Sequence, residues 1–179
     1  MRRLFYVVVA LQMLFLLGEA GRAQLILMRS PVVTLKVVPV DPRSLFMGNY
    51  MALAYDISTI DLHAVSYAEP DERYRSGSIV YVQLDTNEPY ASVRSVLLSP
   101  PLEEDLPYLR GRIVYRDDHS IRVEYGLERY FIPETKQEEV NKLQWGWRER
   151  RPEITAEVAI KDGKGLIRRI LVDGKPLGF

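Results

Sequence analysis

Hydrophobic residues change their rhythm twice along this chain. Residues 4–17 form an apolar run broken only by Gln12 and preceded by Arg2 and Arg3. The run is shorter than the about 20 residues of a full bilayer span, and on length alone it fits the apolar core of a signal peptide. Gly21-Arg22-Ala23 offers small residues for cleavage. The apolar pattern resumes at Leu25-Ile26-Leu27-Met28, however, and no proline intervenes before Pro31. The backbone therefore also allows one helix from about Arg3 to Met28, with Glu19 and Arg22 near the interface and the arginine snorkelling. In either reading the Arg pair places the N-terminus in the cytoplasm and exports the remainder of the chain. The anchor is the preferred reading, giving an N-terminal transmembrane segment 1–30 and an extracytoplasmic domain 31–179.

After Pro31 the period shortens to that of strands. Val32–Val38 is short and β-branched, and Pro39, Asp41 and Pro42 turn the chain after it. Strands are expected at 51–57, 78–84 and 90–98, the last two joined by a turn at 85–89. In 90–98, Ser92 and Arg94 are expected on one face, with Ala91, Val93 and Leu97 on the other. Residues 63–76 and 99–107 are polar or proline-rich and read as loops. Hairpins are expected around Asp117-Asp118-His119-Ser120 and around Asp162-Gly163, with a short strand at 130–132. Val140, Leu143 and Trp147 fall at helical spacing within 134–147, the one soluble helix candidate. The expected fold is mainly β (β-rich α+β): a partly closed barrel or two packed antiparallel sheets with one short helix, preceded by an N-terminal transmembrane helix.

Composition narrows the function classes. Lys plus Arg and Asp plus Glu both number 24, so the chain lacks the cationic excess that a general nucleic-acid binder needs. No nucleic-acid partner is expected. The chain has no cysteine, which excludes disulfides, thiolate metal sites and cysteine nucleophiles. Its 179 residues suit one domain plus an anchor.

Two blocks carry most of the information. The first runs from Val40 to Tyr55 and contains Asp41-Pro42 and Gly48-Asn49-Tyr50-Met51-Ala52-Leu53-Ala54-Tyr55; the second is Tyr125-Gly126-Leu127-Glu128-Arg129-Tyr130-Phe131-Ile132-Pro133-Glu134. Together, in this order after an apolar helix and before an Asp-Gly hairpin, they resemble the bacterial GDYXXLXY protein family over nearly the whole chain. The resemblance implies a single-pass protein of the bacterial cytoplasmic membrane, with a periplasmic or extracellular C-terminal domain. It also implies an integral membrane partner, because similar proteins tend to be encoded beside polytopic membrane proteins. It brings no chemistry, since the family is functionally uncharacterised. The candidate interaction residues are Asp41, Pro42, Gly48, Asn49, Tyr50, Leu53, Tyr55, Glu128, Tyr130, Pro133 and Glu134.

Asn49 stands where the family name has Asp. It keeps an oxygen that can cap a turn but loses the carboxylate charge, which favours a structural role at this position. Strand alternation puts Tyr50 on one face and Leu53 and Tyr55 on the other. These aromatics serve either as packing, with bonded hydroxyls, or as a groove for a partner.

Catalytic and metal signals are weak. Leu45-x-x-Gly48-Asn49 looks loosely like the membrane-anchored signal peptidases, but Val40 then occupies the place of their serine nucleophile. Ser44 is nearby without a paired lysine, and a serine without a base is inert. His63 and His119 lack metal-ligand spacing, so Asp117-Asp118-His119 reads as a solvated turn and Glu103-Glu104-Asp105 as a charged loop. No cofactor or metal is expected. Trp145 and Trp147, beside Arg148, Arg150 and Arg151, fit either a second membrane contact or a helix end. The leading function is an accessory domain docked on an integral membrane protein. The alternative is an envelope hydrolase or carbohydrate-modifying enzyme using Glu128, Glu134 or Asp41.

Overall fold

The structure is a computed structural model and describes residues 2–38, 46–47, 50–67, 73–102, 106–131 and 152–177. The chain divides into two compact units, Met1–Ser30 and Pro31–Phe179. The first is one helix, α1, spanning Arg2–Arg29. It ends where Pro31 disfavours helical backbone in the residue before it. Its 28 residues extend for about 42 Å at 1.5 Å each, more than the about 30 Å of a hydrocarbon core. The segment Arg3–Arg22 has a mean hydropathy of 1.9 and none of it is buried within the protein. α1 is therefore long and apolar enough to cross a membrane.

The second unit is mainly β. Its strands are β1 (Val32–Val38), β2 (Phe46–Met47), β3 (Tyr50–Ala52), β4 (Ala54–Tyr55), β5 (Thr59–Asp61), β6 (Ser66–Tyr67) and β7 (Ile79–Asp85). They continue as β8 (Ser92–Leu97), β9 (Tyr108–Arg116), β10 (Ser120–Glu124), β11 (Arg129–Phe131), β12 (Ile154–Lys161), β13 (Lys164–Val172) and β14 (Lys175–Pro176). A six-stranded sheet in the order β5-β10-β9-β7-β8-β6 curls into a nearly closed, barrel-like surface. A five-stranded sheet, β14-β13-β12-β1-β4, and a three-stranded one, β11-β3-β2, complete the domain. Pairing is antiparallel except between β6 and β8.

Hydrogen bonds tie these sheets together. Ala91 N–H donates to Thr34 O at 2.8 Å, and Arg110 N–H to Gly163 O at 2.8 Å. Gly163 belongs to the Asp162-Gly163 turn, whose φ values of 50° and 76° are both positive, as a type I′ turn requires. A Cβ on Gly163 would lie 2.8 Å from the Tyr108 ring, so only glycine lets this turn seat against β9. The core is continuous across the sheets: Leu35, Met51, Tyr55, Ile60, Leu109 and Ile170 are all essentially inaccessible.

Several elements depart from the expected pattern. Strand 51–57 breaks at Leu53 into β3 and β4 and then a single 3-10 turn at Asp56–Ser58. Leu53 N–H donates to Glu128 O at 2.8 Å, one step further along the β3–β11 register, and the chain changes sheets after it. The 63–76 loop contains β6 and the fully buried Tyr74, whose hydroxyl donates to Val96 O at 3.0 Å. In β8 the register shifts opposite Gln83/Leu84, so Val96 enters the core instead of Leu97, which is half-buried. The helix candidate at 134–147, with both tryptophans, lies outside the described residues.

Candidate functional site

The two blocks singled out by the sequence are neighbours in space. β3 and β11 pair antiparallel, with Phe131 opposite Tyr50, Tyr130 opposite Met51 and Arg129 opposite Ala52. Alternation along each strand then sorts the side chains into two faces. Met51 points to the core and is fully buried, with the half-buried Tyr130 packed on the same side. Burial raises the Tyr130 phenol above its ordinary value. On the outward face the rings of Tyr50 and Phe131 lie 6.2 Å apart, and the Arg129 guanidinium sits 5.8 Å from the centre of the Tyr50 ring. Phe131 is 73 % exposed. This face joins an aromatic pair to a cation.

Beneath it, the blocks are laced together by buried tyrosines. The Tyr55 hydroxyl donates to Leu127 O at 2.8 Å, and the Tyr125 hydroxyl donates back to Ile57 O at 2.7 Å. Between them the chain turns through Gly126, at φ +79°. Glu128 closes that turn by accepting the Tyr125 N–H at 2.6 Å, while its own carbonyl receives Leu53. Burial, and then the negative charge of Glu128, push both phenols far above the ordinary tyrosine range. Neither is a proton donor for chemistry near neutral pH. Both are structural hydroxyls that satisfy carbonyls at a point where the ladder is interrupted.

The candidate residues therefore separate. Tyr50 lies on the outward face. Leu53 and Tyr55 are buried in the core. Glu128 is the cap of a turn and lines neither the depression beside Arg75 and Asp118 nor the one at residues 97–102. Asp41, Pro42, Gly48, Asn49, Pro133 and Glu134 lie outside the described residues, as does Glu103-Glu104-Asp105. Arg129 and Phe131 were not among the interaction candidates, although both belong to the second block. Alternation starting from Tyr130 is the signal that finds them. The structure also brings together His63 and His119, which the sequence placed in separate polar segments. Among the described residues no group of three or more His, Cys, Asp or Glu is arranged to hold a metal ion.

Fold and candidate site define a class: a β-rich domain behind one apolar helix of membrane-spanning length, with an aromatic and cationic face built from two sequence-distant blocks. Within that class, the chain belongs to the GDYXXLXY protein family, whose family model matches residues 12–170. The name-giving residues fall on Gly48 to Tyr55, with Asn49 at the Asp position. No curated protein and no solved structure matches the chain.

Proposed function

We propose that this protein is a membrane-anchored accessory domain that docks on an integral membrane protein through the face of Tyr50, Arg129 and Phe131. In this reading α1 is retained as a single-pass anchor with Arg2 and Arg3 in the cytoplasm, and residues 31–179 form a domain in the bacterial periplasm or outside the cell. The continuity of α1 through Gly21-Arg22-Ala23 supports retention over cleavage.

The observation that carries the proposal is the exposure of Phe131 against Tyr50 and Arg129. Aromatic side chains and arginine dominate the energetics of protein interfaces, and this face offers a cluster of them. The tyrosine lacing beneath makes the face rigid, which lowers the entropy cost of binding. An anchored domain meets integral membrane proteins at high effective concentration, so a small face suffices.

The test is purification of the full chain at native expression in a mild detergent. The wild type should co-purify with an integral membrane protein in near-stoichiometric amount, and a variant carrying Arg129→Glu and Phe131→Ala should lose it. Recovery of the wild-type protein alone contradicts the proposal.

A further inference from the structure

We propose that the tip of the Asp162-Gly163 hairpin contacts anionic phospholipid headgroups through Lys161, Lys164 and Arg110. The inference rests on the reading of α1 as a retained anchor and is independent of the docking face.

Chain connection decides which end of the sheet lies near the anchor. The apolar span ends at Arg22 and α1 ends at Arg29, about 10 Å further on at 1.5 Å per residue, close to the depth of a headgroup layer. Only Ser30 and Pro31 separate α1 from β1, so Val32 lies within about 11 Å of the end of the helix for any orientation of the two units. β1 pairs with β12 antiparallel, Val32 opposite Ala159, and the Ile160 N–H donates to Pro31 O at 3.0 Å. β12 then turns into β13 with Ala159 opposite Leu166 and Lys161 opposite Lys164. The hairpin tip is therefore at the end of the five-stranded sheet from which the chain leads into α1. Lys175, on β14 opposite Val172, belongs to the other end.

Strand alternation puts Lys161 and Lys164 on the same face as Val32, Ala159 and Leu166. Val32 is 40 % exposed and Leu166 is half-buried, so an apolar strip leads up to the two lysines. Both lysines are exposed, and neither makes a salt bridge among the described residues. Like charges directly opposite across a hairpin repel, and one anionic group between the ammoniums relieves that repulsion. Lysine suits such a contact, because its stem covers apolar surface while the ammonium stays among the headgroups. The third cation comes from β9. Arg110 N–H donates to Gly163 O at 2.8 Å, and its exposed side chain starts 3.3 Å from the place of a Gly163 Cβ. Beside it the half-buried rings of Tyr81 and Tyr108 lie 6.1 Å apart, and tyrosine is enriched where lipid meets water. Asp162 is the acid within the turn, and the three cations outweigh it.

Amide hydrogen exchange at residues 161–164 of the full chain in lipid nanodiscs tests this, in phosphatidylcholine alone and with about one third phosphatidylglycerol. Exchange in the wild type should slow about fivefold or more in the anionic discs, and the difference should vanish in about 0.5 M salt. The double variant Lys161→Gln, Lys164→Gln should exchange alike in both lipids. Lys175→Gln, which removes a cation from the far end of the sheet, should keep the wild-type difference. Protection that survives in the double variant, or its loss in Lys175→Gln, overturns the proposal. Failure of the full chain to enter the discs contradicts the anchor and this contact with it. Entry of the wild type with equal exchange in the two lipids overturns the lipid contact alone.

Discussion

Tyr55 and Tyr125 carry the stability of the junction between the two blocks, each through one buried hydroxyl. Replacing either by Phe leaves Leu127 O or Ile57 O without its donor, and each variant should lose about 1–2 kcal/mol in urea unfolding. The same hydroxyls predict an alkaline limit. Their ionisation is shifted up in the folded state, by burial first and by Glu128 second. The unfolded value is about 10, so their contribution is complete below that pH and is lost as pH rises above it. In that window the unfolded chain releases protons that the folded chain retains, and for each tyrosine stability should fall by about 1.4 kcal/mol in all between about pH 9 and pH 11. Unfolding curves recorded between about pH 9 and pH 11 check this, and the fall should be shallower when both tyrosines are Phe. An unchanged slope in the double variant contradicts the assignment.

The β3–β11 pair separates packing from presentation. Met51→Ala empties a fully buried position and should cost about 2–5 kcal/mol, whereas Phe131→Ala on the opposite face should stay within about 0.5 kcal/mol of wild type. Thermal unfolding distinguishes the two. Local pattern made this pair legible, because alternation from Tyr50 and from Tyr130 assigns both faces. Turn chemistry likewise marked the β12–β13 hairpin at Asp162-Gly163. The same signal recurs at Asp173-Gly174, where φ values of 47° and 74° turn β13 into β14. Other features were not legible because they depend on contacts distant in sequence. After Leu53 the chain passes from the β11 partner to the β1 partner, and the inward turn of Val96 answers to a bulge set against its partner strand. β5 and β6 are too short to show a period, so the meeting of the histidines that β5 permits was hidden. Its one local trace is the repeated Asp-x-His spacing at 61–63 and 117–119.

For the molecule as a whole, a retained α1 predicts that the full chain stays in the membrane pellet after alkaline carbonate extraction, while the chain lacking residues 2–30 is released. Release of the full chain contradicts anchoring by α1. The docking proposal adds that anchoring alone is insufficient, because Arg129→Glu with Phe131→Ala should leave the protein in the membrane yet separate it from its partner. Docking through this face is read out by placing a photo-crosslinking phenylalanine analogue at position 131 in intact membranes, with position 115 as control. Tyr115 is also an exposed aromatic, 54 % accessible, but it belongs to β9 in the six-stranded sheet. One discrete adduct with an integral membrane protein is expected from position 131 and none from position 115. Adducts from both positions alike, or only lipid adducts from position 131, would contradict docking through this face.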